Sequence, residues 1–415
     1  MKQLHLGSLI LFTILLAGCY DRTELEEQSY VIAIGVDLTD KNGLYKITFQ
    51  IANPEVGTSM TGSGPDEPPR ETVTVEGTDI ISATATANSF VSKELKLDHT
   101  KVLVLSEKFA RSGDLLRAIQ VSSRTKQIRG GVQIIVSKEK ARDFIDNNNP
   151  KMETRPHKYY QVMLNRASEI GIIPNTDIHR FFQITEGDAD LFLAPYASTE
   201  IDEKPKENGT EDGYIAGEVP QEGGSRSQFM GSAVFKEGKM IDVLTGAETR
   251  IAQTLDNTID LSDIYSTYED PVDPNYRVAG AFAKKQNTAI KIDYKENGTT
   301  KIDVTVPFEM EIFAIPSLTN YSQNAKNREK LRKSIEDSLT KAAEDLVKKS
   351  QEKYETEPFY WSLYVRNNFK TIQEYEKADW NKKIFPHADI TITYRLETLE
   401  FGKMIDDTHL NEVRD

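Results

Sequence analysis

The side chain with the clearest chemical prospect is Cys19, the single cysteine of the 415-residue chain. It closes Leu16-Ala17-Gly18-Cys19, behind an apolar run from Leu6 to Leu16 that is preceded by Lys2 and His5. A basic start, a short apolar run and small residues at the cut mark a secretory signal. The run falls short of the about 20 apolar residues that a spanning helix needs. With cysteine directly after the small residues, the expected chemistry is lipid addition to the Cys19 thiol and cleavage before it, which removes residues 1–18. The bland alternative is an ordinary signal with an incidental cysteine. Small residues at both positions before a sole cysteine argue for lipidation instead. A thioether at Cys19 leaves no thiol for a disulfide, a metal or nucleophilic attack.

Other chemistry is hard to find. The chain has no Gly-x-Ser-x-Gly elbow, no phosphate-cradling Gly-x4-Gly-Lys-Ser/Thr, no Gly-x-Gly-x-x-Gly and no His-Glu-x-x-His. Beyond the signal the histidines are His99, His157, His179, His387 and His409, none paired at metal-ligand spacing. No catalytic residue, cofactor or metal site is therefore expected. His99, just before an apolar strand, and Asp37, at the end of another, invite a functional reading. Such a histidine more often satisfies a neighbouring polar group, and a strand-end Asp more often caps a turn or helix.

The whole chain carries a net charge of −14, and the signal contributes only Lys2 to the positive side. That balance argues against nucleic acid and against broad adhesion to anionic lipid, so membrane attachment falls to the acyl chains. With 38% hydrophobic and 28% charged residues the rest reads as globular, and its length is more than one ordinary core fills, so two or three domains are expected.

The elements that must position any site follow from pattern. Asp21 to Gln28 reads as a short helix, and Tyr30–Asp37 and Leu44–Ile51 as a hairpin turned at Asn42-Gly43. Strand Thr72–Glu76, helix Thr78–Leu95, strand Lys101–Leu105, helix Glu107–Ser122, strand Gly131–Val136 and helix Lys138–Asp146 complete an N-terminal α/β domain, 19–147. The middle α/β domain, 148–270, contains an acidic stretch, 198–227, with eight acids and five glycines, which reads as a solvated loop. Asp270-Pro271-Val272-Asp273-Pro274 reads as a stiff connector. The C-terminal α+β domain, 271–415, has a hairpin turned at Asn297-Gly298, a bulge or edge position at Pro307, and a long helix over 323–354. Leu331, Ile335, Leu339, Ala342 and Leu346 mark that helix's apolar face. The expected class is α/β and α+β, three successive domains, each a mixed or antiparallel sheet flanked by helices.

Four segments carry a family resemblance. They are Gly18-Cys19-Tyr20-Asp21-Arg22-Thr23-Glu24-Leu25 running into Ile34-Gly35-Val36-Asp37; Asp98-His99-Thr100-Lys101-Val102-Leu103-Val104-Leu105 with Ala110-Arg111; Gly231-Ser232-Ala233-Val234-Phe235-Lys236 with Leu244 and Glu248-Thr249-Arg250; and Trp380 with Phe385-Pro386 and Gly402. Their order and spacing resemble the Ger(x)C spore germination lipoproteins, the C subunits of nutrient germinant receptors. The chain departs from that pattern at Tyr20, where the family has Trp, and at Arg124-Thr125-Lys126-Gln127-Ile128-Arg129, which lacks the family's two acids. The resemblance implies three domains and a non-catalytic role on the outer face of the spore inner membrane. It also implies work beside two membrane-embedded receptor subunits. Of site residues it transfers only the lipidated Cys19, and it leaves open whether this subunit touches a nutrient. The other readings are a solute-binding lipoprotein of a transporter and, more remotely, an envelope hydrolase.

Overall fold

The computed structural model describes residues 27–52, 70–150, 153, 155–187, 190–202 and 210–402. Cys19, the signal and most of the helix expected from Asp21 lie outside the described residues. The rest forms two sheets. The first has nine strands, in the order β3-β2-β1-β5-β6-β7-β8-β9, with β4 beside the start of β1. These are β1 Gln28–Leu38, β2 Tyr45–Ala52, β3 Arg70–Gly77, β4 Glu94–Lys96, β5 Val102–Ser106, β6 Gln133–Ser137, β7 Phe192–Ser198, β8 Gln228–Lys236 and β9 Lys239–Leu244. The central β1, β5, β6 and β7 run parallel, and antiparallel pairs flank them on both sides.

Parallel central strands need apolar side chains on both faces, and β5 shows how this is met. Leu103 and Leu105 join one core, with Phe109 and Ile119. Val102 and Val104 join another, with Phe144, Tyr160 and Leu164. Helices α1 Ile80–Ala87, α2 Glu107–Ala110, α3 Leu115–Arg124 and α6 Ile178–Thr185 contribute to the first core, and α4 Ala141–Asn147 and α5 Pro156–Glu169 to the second. Two helix expectations are revised. The helix expected over 107–122 breaks at Gly113, whose φ of +87° lies in the left-handed region. The one expected over 78–95 ends at Ala87, and its last residues become β4.

The second sheet holds β10 Ile264–Glu269, β11 Arg277–Ala283, β12 Ala289–Asp293, β13 Lys301–Ala314 and β14 Asp389–Glu400. Helix α7 Gly246–Leu255 stands between the sheets, and α8 Ala325–Lys349 packs on β14. Short helices α9 Ser362–Val365 and α10 Ile372–Ala378 follow. β14 pairs parallel to β13, because the chain returns through α8 rather than through a tight turn. Pro307 falls in the gap between the β12 pairing, which ends at Thr305, and the β11 pairing, which starts at Glu309, so its missing N–H breaks no ladder bond on that side. A register shift between Phe308 and Glu309 follows directly.

The expectation of one sheet for each of three segments gives way to two sheets. Strands from 19–147 and from 148–270 share the first, joined where Val136 pairs with Tyr196 and Ser137 with Ala197. Strand β10 belongs to the second sheet although it precedes residue 271, and the expected connector is the turn between β10 and β11. Buried Asp270 holds that turn by accepting from Val272 N (2.9 Å) and Asp273 N (3.1 Å). The acidic stretch also differs from a solvated loop over its described part. Asp212, Ala216 and Glu218 are buried. Glu211 accepts from Thr267 N of β10 at 2.9 Å, and Ala247 N of α7 donates to Asp212 O at 2.7 Å. This strap ties the two sheets together.

On α8 the buried stripe is Leu331, Ile335, Ala343, Leu346 and Val347. Leu331, Ile335, Ala343 and Val347 lie multiples of four apart, with Leu346 beside them, so Ala343 replaces the expected Ala342, which is exposed. Its polar side, Arg332, Glu336 and Thr340, meets the backbone of β14. Leu396 N donates to Glu336 Oε1 at 2.7 Å, Tyr394 N donates to Thr340 Oγ1 at 3.2 Å, and Arg332 donates to Leu396 O. A single core mixes Leu193, Val234, Ile251 and Leu255 with Val278, Phe282, Phe308 and Trp361. The two sheets are therefore not independent. Each such fully buried aliphatic or Phe side chain contributes about 1.5–3 kcal/mol relative to exposure.

Candidate functional site

Two places gather the residues that the sequence singled out. The first is a crevice of about 790 Å³ at the carboxyl ends of β1, β5 and β6. The chain leaves β1 toward β2 on one side and leaves β5 toward β6 on the other. Ligands of open α/β sheets tend to bind outside such a reversal. Its lining includes Asp37, Ser106, Glu139, Lys46, Lys108 and Lys140.

Asp37 has a structural task there. Helix α4 presses on β1 at Gly35, where an added Cβ would come within 2.9 Å of Ile145 Cδ1. Two residues on, the Asp37 carboxylate accepts from Ala141 N (2.9 Å) and Arg142 N (3.1 Å), capping α4 from a distant strand. Buried Glu139 accepts from Thr199 N (2.7 Å), Thr199 Oγ1 (2.6 Å) and Ser198 Oγ (3.0 Å). Ser106 Oγ accepts from Phe109 N at 3.4 Å and starts α2. The floor is thus made of groups committed to the fold. Lys46, Lys108 and Lys140 stand exposed on the rim. The described lining of the crevice contains no histidine and no nucleophile paired with a base. The arrangement can hold a polar ligand, and no general acid–base pair is assembled in it.

The second place is the joint around Gly231 and Glu248-Thr249-Arg250. Gly231 has φ of +83°, and a Cβ there would lie 2.2 Å from Leu244 O, so only glycine fits between β8 and the end of β9. Ser232 and Thr249, both fully buried, share a hydrogen bond of 2.8 Å. Thr245 and Glu248 form a reciprocal cap on α7, and Lys349 of α8 donates to Glu248 Oε1 at 2.9 Å. Arg250 donates to Asp212 Oδ2 at 2.6 Å and to Ile170 O at 3.1 Å. On β9, Asp242 accepts from Lys353 Nζ at 2.7 Å and from Tyr354 OH. The motif residues serve to lock the sheets together, and the sequence showed their pattern but not their partners.

The histidines stay apart. His99 packs edge-on against Tyr30 with ring centroids 4.6 Å apart and lies 3.6 Å from Asp98. His157 has its pKa lowered by burial and by the Arg155 charge. His179 and His387 are exposed, and His409 lies outside the described residues. Among the described residues no group of three or more metal-ligating side chains converges, and no helix is long and apolar enough to cross a membrane.

Residues 21–199 match the spore germination protein N-terminal domain, and residues 230–402 match the spore germination B3/GerAC-like C-terminal domain. The two matches divide at the strap, between β7 and β8 of one sheet. Spore germination protein B3 of Bacillus subtilis (strain 168) is 22% identical over 408 residues, which is 97% of this chain and 99% of that protein. Spore germination protein KC of the same organism is 32% identical over 140 residues, a match spanning 34% of that protein and 33% of this chain. The crystal structure of the GerBC protein shares the fold, with a TM-score of 0.50 at 18% identity, over 91% of this chain and 100% of that one. The chain belongs to the Ger(x)C family of spore germination proteins.

Proposed function

We propose that this chain is a non-enzymatic, lipid-anchored subunit of a nutrient germinant receptor. Lipid on Cys19 holds it to the outer face of the spore inner membrane, beside two membrane-embedded subunits. The observation that carries this reading is the match to both family domains, in order, across most of the chain. The committed floor of the crevice and the structural use of the motif residues agree with a role in contact rather than turnover. A net charge of −14 gives little help toward anionic lipid, so acyl chains supply attachment, at about 0.8 kcal/mol per buried CH₂.

The test is deletion of the gene in spores stripped of redundant receptors, with affinity capture from spore membranes. Loss of germination with at least one nutrient, and co-capture of two integral membrane proteins, is expected. Unchanged germination with every nutrient and no membrane partner would sink the proposal. Cys19→Ala separates attachment from assembly. It should release the chain or leave its signal uncut, and a processed Cys19→Ala chain that stays on the membrane would mean that partners hold it. A solute-binding lipoprotein would call for two similar lobes around one cleft. The two sheets differ in strand number and in helix cover and share one core, so no observation favours it.

A further inference from the structure

Where the chain returns from α8 it crosses to the first sheet, and two carboxyl groups meet there. Asp190, just before β7, forms a parallel bridge with Glu357. Leu191 N donates to Glu357 O at 3.1 Å. The Glu357 carboxyl is fully buried and accepts from Phe359 N (2.5 Å) and Ser362 N (3.2 Å). Asp190 Oδ2 accepts from Ser362 Oγ at 3.0 Å, whereas its Oδ1 is buried and finds no donor among N–H and hydroxyl groups. An ionised oxygen left so would be costly. The group facing Asp190 that can satisfy it is the Glu357 carboxyl, if that carboxyl carries a proton. Two buried carboxyls in contact cannot both ionise cheaply.

We propose that Asp190 and Glu357 share a proton, and that this acid–acid contact is a latch between the two sheets that closes at low pH and loosens as the pH rises.

The surroundings agree. Burial pushes Asp190 up to about 6, against the pull of its Ser362 hydrogen bond and the Arg366 charge. Burial and the Asp190 charge raise Glu357 as well. The other charged or titratable groups facing the pair come from every element packed on it. Arg366 follows α9. Asp256 follows α7 and is paired with Arg180 of α6 at 3.2 Å. The Arg180 guanidinium lies 4.6 Å from the Tyr360 ring centroid. Tyr375 of α10 faces Arg366 at 5.0 Å. Glu186, Lys236 and Glu237 stand with Asp190 around a cavity of about 240 Å³. Asp256 is occupied by Arg180 and by Thr258 N at 2.6 Å, and Lys236 donates to Tyr354 O at 2.6 Å, so neither supplies the missing donor.

The direction follows from linkage. A carboxyl whose pKa is higher in the folded state than in the unfolded one keeps its proton longer when folded. The stability it confers is full below the unfolded value, about 4, and for Asp190 is gone once the pH passes about 6.

The test is hydrogen exchange on the full chain from pH 4 to pH 8, corrected for intrinsic exchange. The Leu191 amide reports the seam, and the Phe282 amide reports the second sheet. Protection at Leu191 should fall on the order of 100-fold from Asp190 alone between pH 4 and pH 6 and keep falling above pH 6 as Glu357 gives up the last proton, while Phe282 changes far less. In the Asp190→Asn/Glu357→Gln double variant the seam should show no such fall. Equal loss at Leu191 and Phe282, a pH-independent Leu191 in the parent, or an undiminished fall in the double variant would each overturn the latch. Should the variant not fold, carbon-13 titration of the parent decides. One carboxyl resonance still moving above pH 5.5 supports the shared proton, and none moving there refutes it.

Discussion

The crevice and the joint are both rich in carboxylates, yet they use them in opposite ways. At the crevice Asp37 and Glu139 accept backbone N–H and hydroxyl groups from the start of α4 and from the residues after β7, and Lys46, Lys108 and Lys140 stay on the rim. At the joint Asp212, Glu248 and Asp242 each take a cation from another element, Arg250, Lys349 and Lys353. The joint therefore spends its charges on holding two sheets in one arrangement, whereas the crevice pairs Lys138 and Arg142 only locally, with Asp202 and Asp146, and leaves Lys46, Lys108 and Lys140 exposed on its rim. A surface with uncommitted charges can change partner without unfolding, and a joint with committed ones cannot.

The sharpest challenge to this contrast is Gly231→Ala. A methyl 2.2 Å from Leu244 O at a positive φ must displace β8 or β9, and a loss of about 3 kcal/mol or more is expected in urea unfolding. A loss below about 1 kcal/mol would show that the joint tolerates rearrangement. Next comes Arg250→Met, which strands Asp212 in a site where both side chains are only 10% exposed. Breaking one side of such a pair costs about 3–5 kcal/mol, and Asp212→Asn/Arg250→Met together should recover part of it. Asp37→Ala removes the cap of α4 and should cost about 1–2 kcal/mol, with exchange rising first at the Ala141 and Arg142 amides. Smallest of all, Lys46→Ala, Lys108→Ala and Lys140→Ala should each stay within about 0.5 kcal/mol. A large effect at any of them would erase the distinction between rim and joint.

Acid offers another cut. Burial alone would raise Asp242, but hydrogen bonds from Lys353 and Tyr354 and the Lys349 charge outweigh it, and its pKa is lowered. A carboxyl with a depressed folded pKa stabilises above its unfolded value, about 4, and that gain is lost as the pH falls through the folded one. Asp242 and the Asp190–Glu357 pair thus respond to pH with opposite sign. Removing Asp242 with Asp242→Asn should flatten the acid limb of the stability curve and leave the limb above pH 4 unchanged.

Local elements were legible because their causes are local. Asn42-Gly43 turns the first hairpin with Gly43 at φ of +76°, and Asn297-Gly298 joins β12 to β13. The apolar run Val102–Leu105 is a buried central strand. The number of sheets was not legible. Val136 meets Tyr196 sixty residues on, and nothing in either segment names the other. Strand β10, Ile-Tyr-Ser-Thr-Tyr-Glu, carries little apolar weight and is held by Glu211 and β11 instead. At the sites, the cap role of Asp37 followed from its place at a strand end, but its partner, α4, depends on the fold. The pair Asp190 and Glu357 gave no signal, since neither residue stands in a pattern and 167 positions separate them.

The polar stripe of α8 has one more consequence. Arg332, Glu336 and Thr340 occupy backbone groups on the outer side of β14, a strand of twelve residues. An open strand of that length is a template onto which a second chain can add its own. By filling those positions from its own helix, the chain keeps neighbouring copies from zipping together along β14. Contacts with other proteins are then directed to side-chain surfaces, where specificity can be written residue by residue.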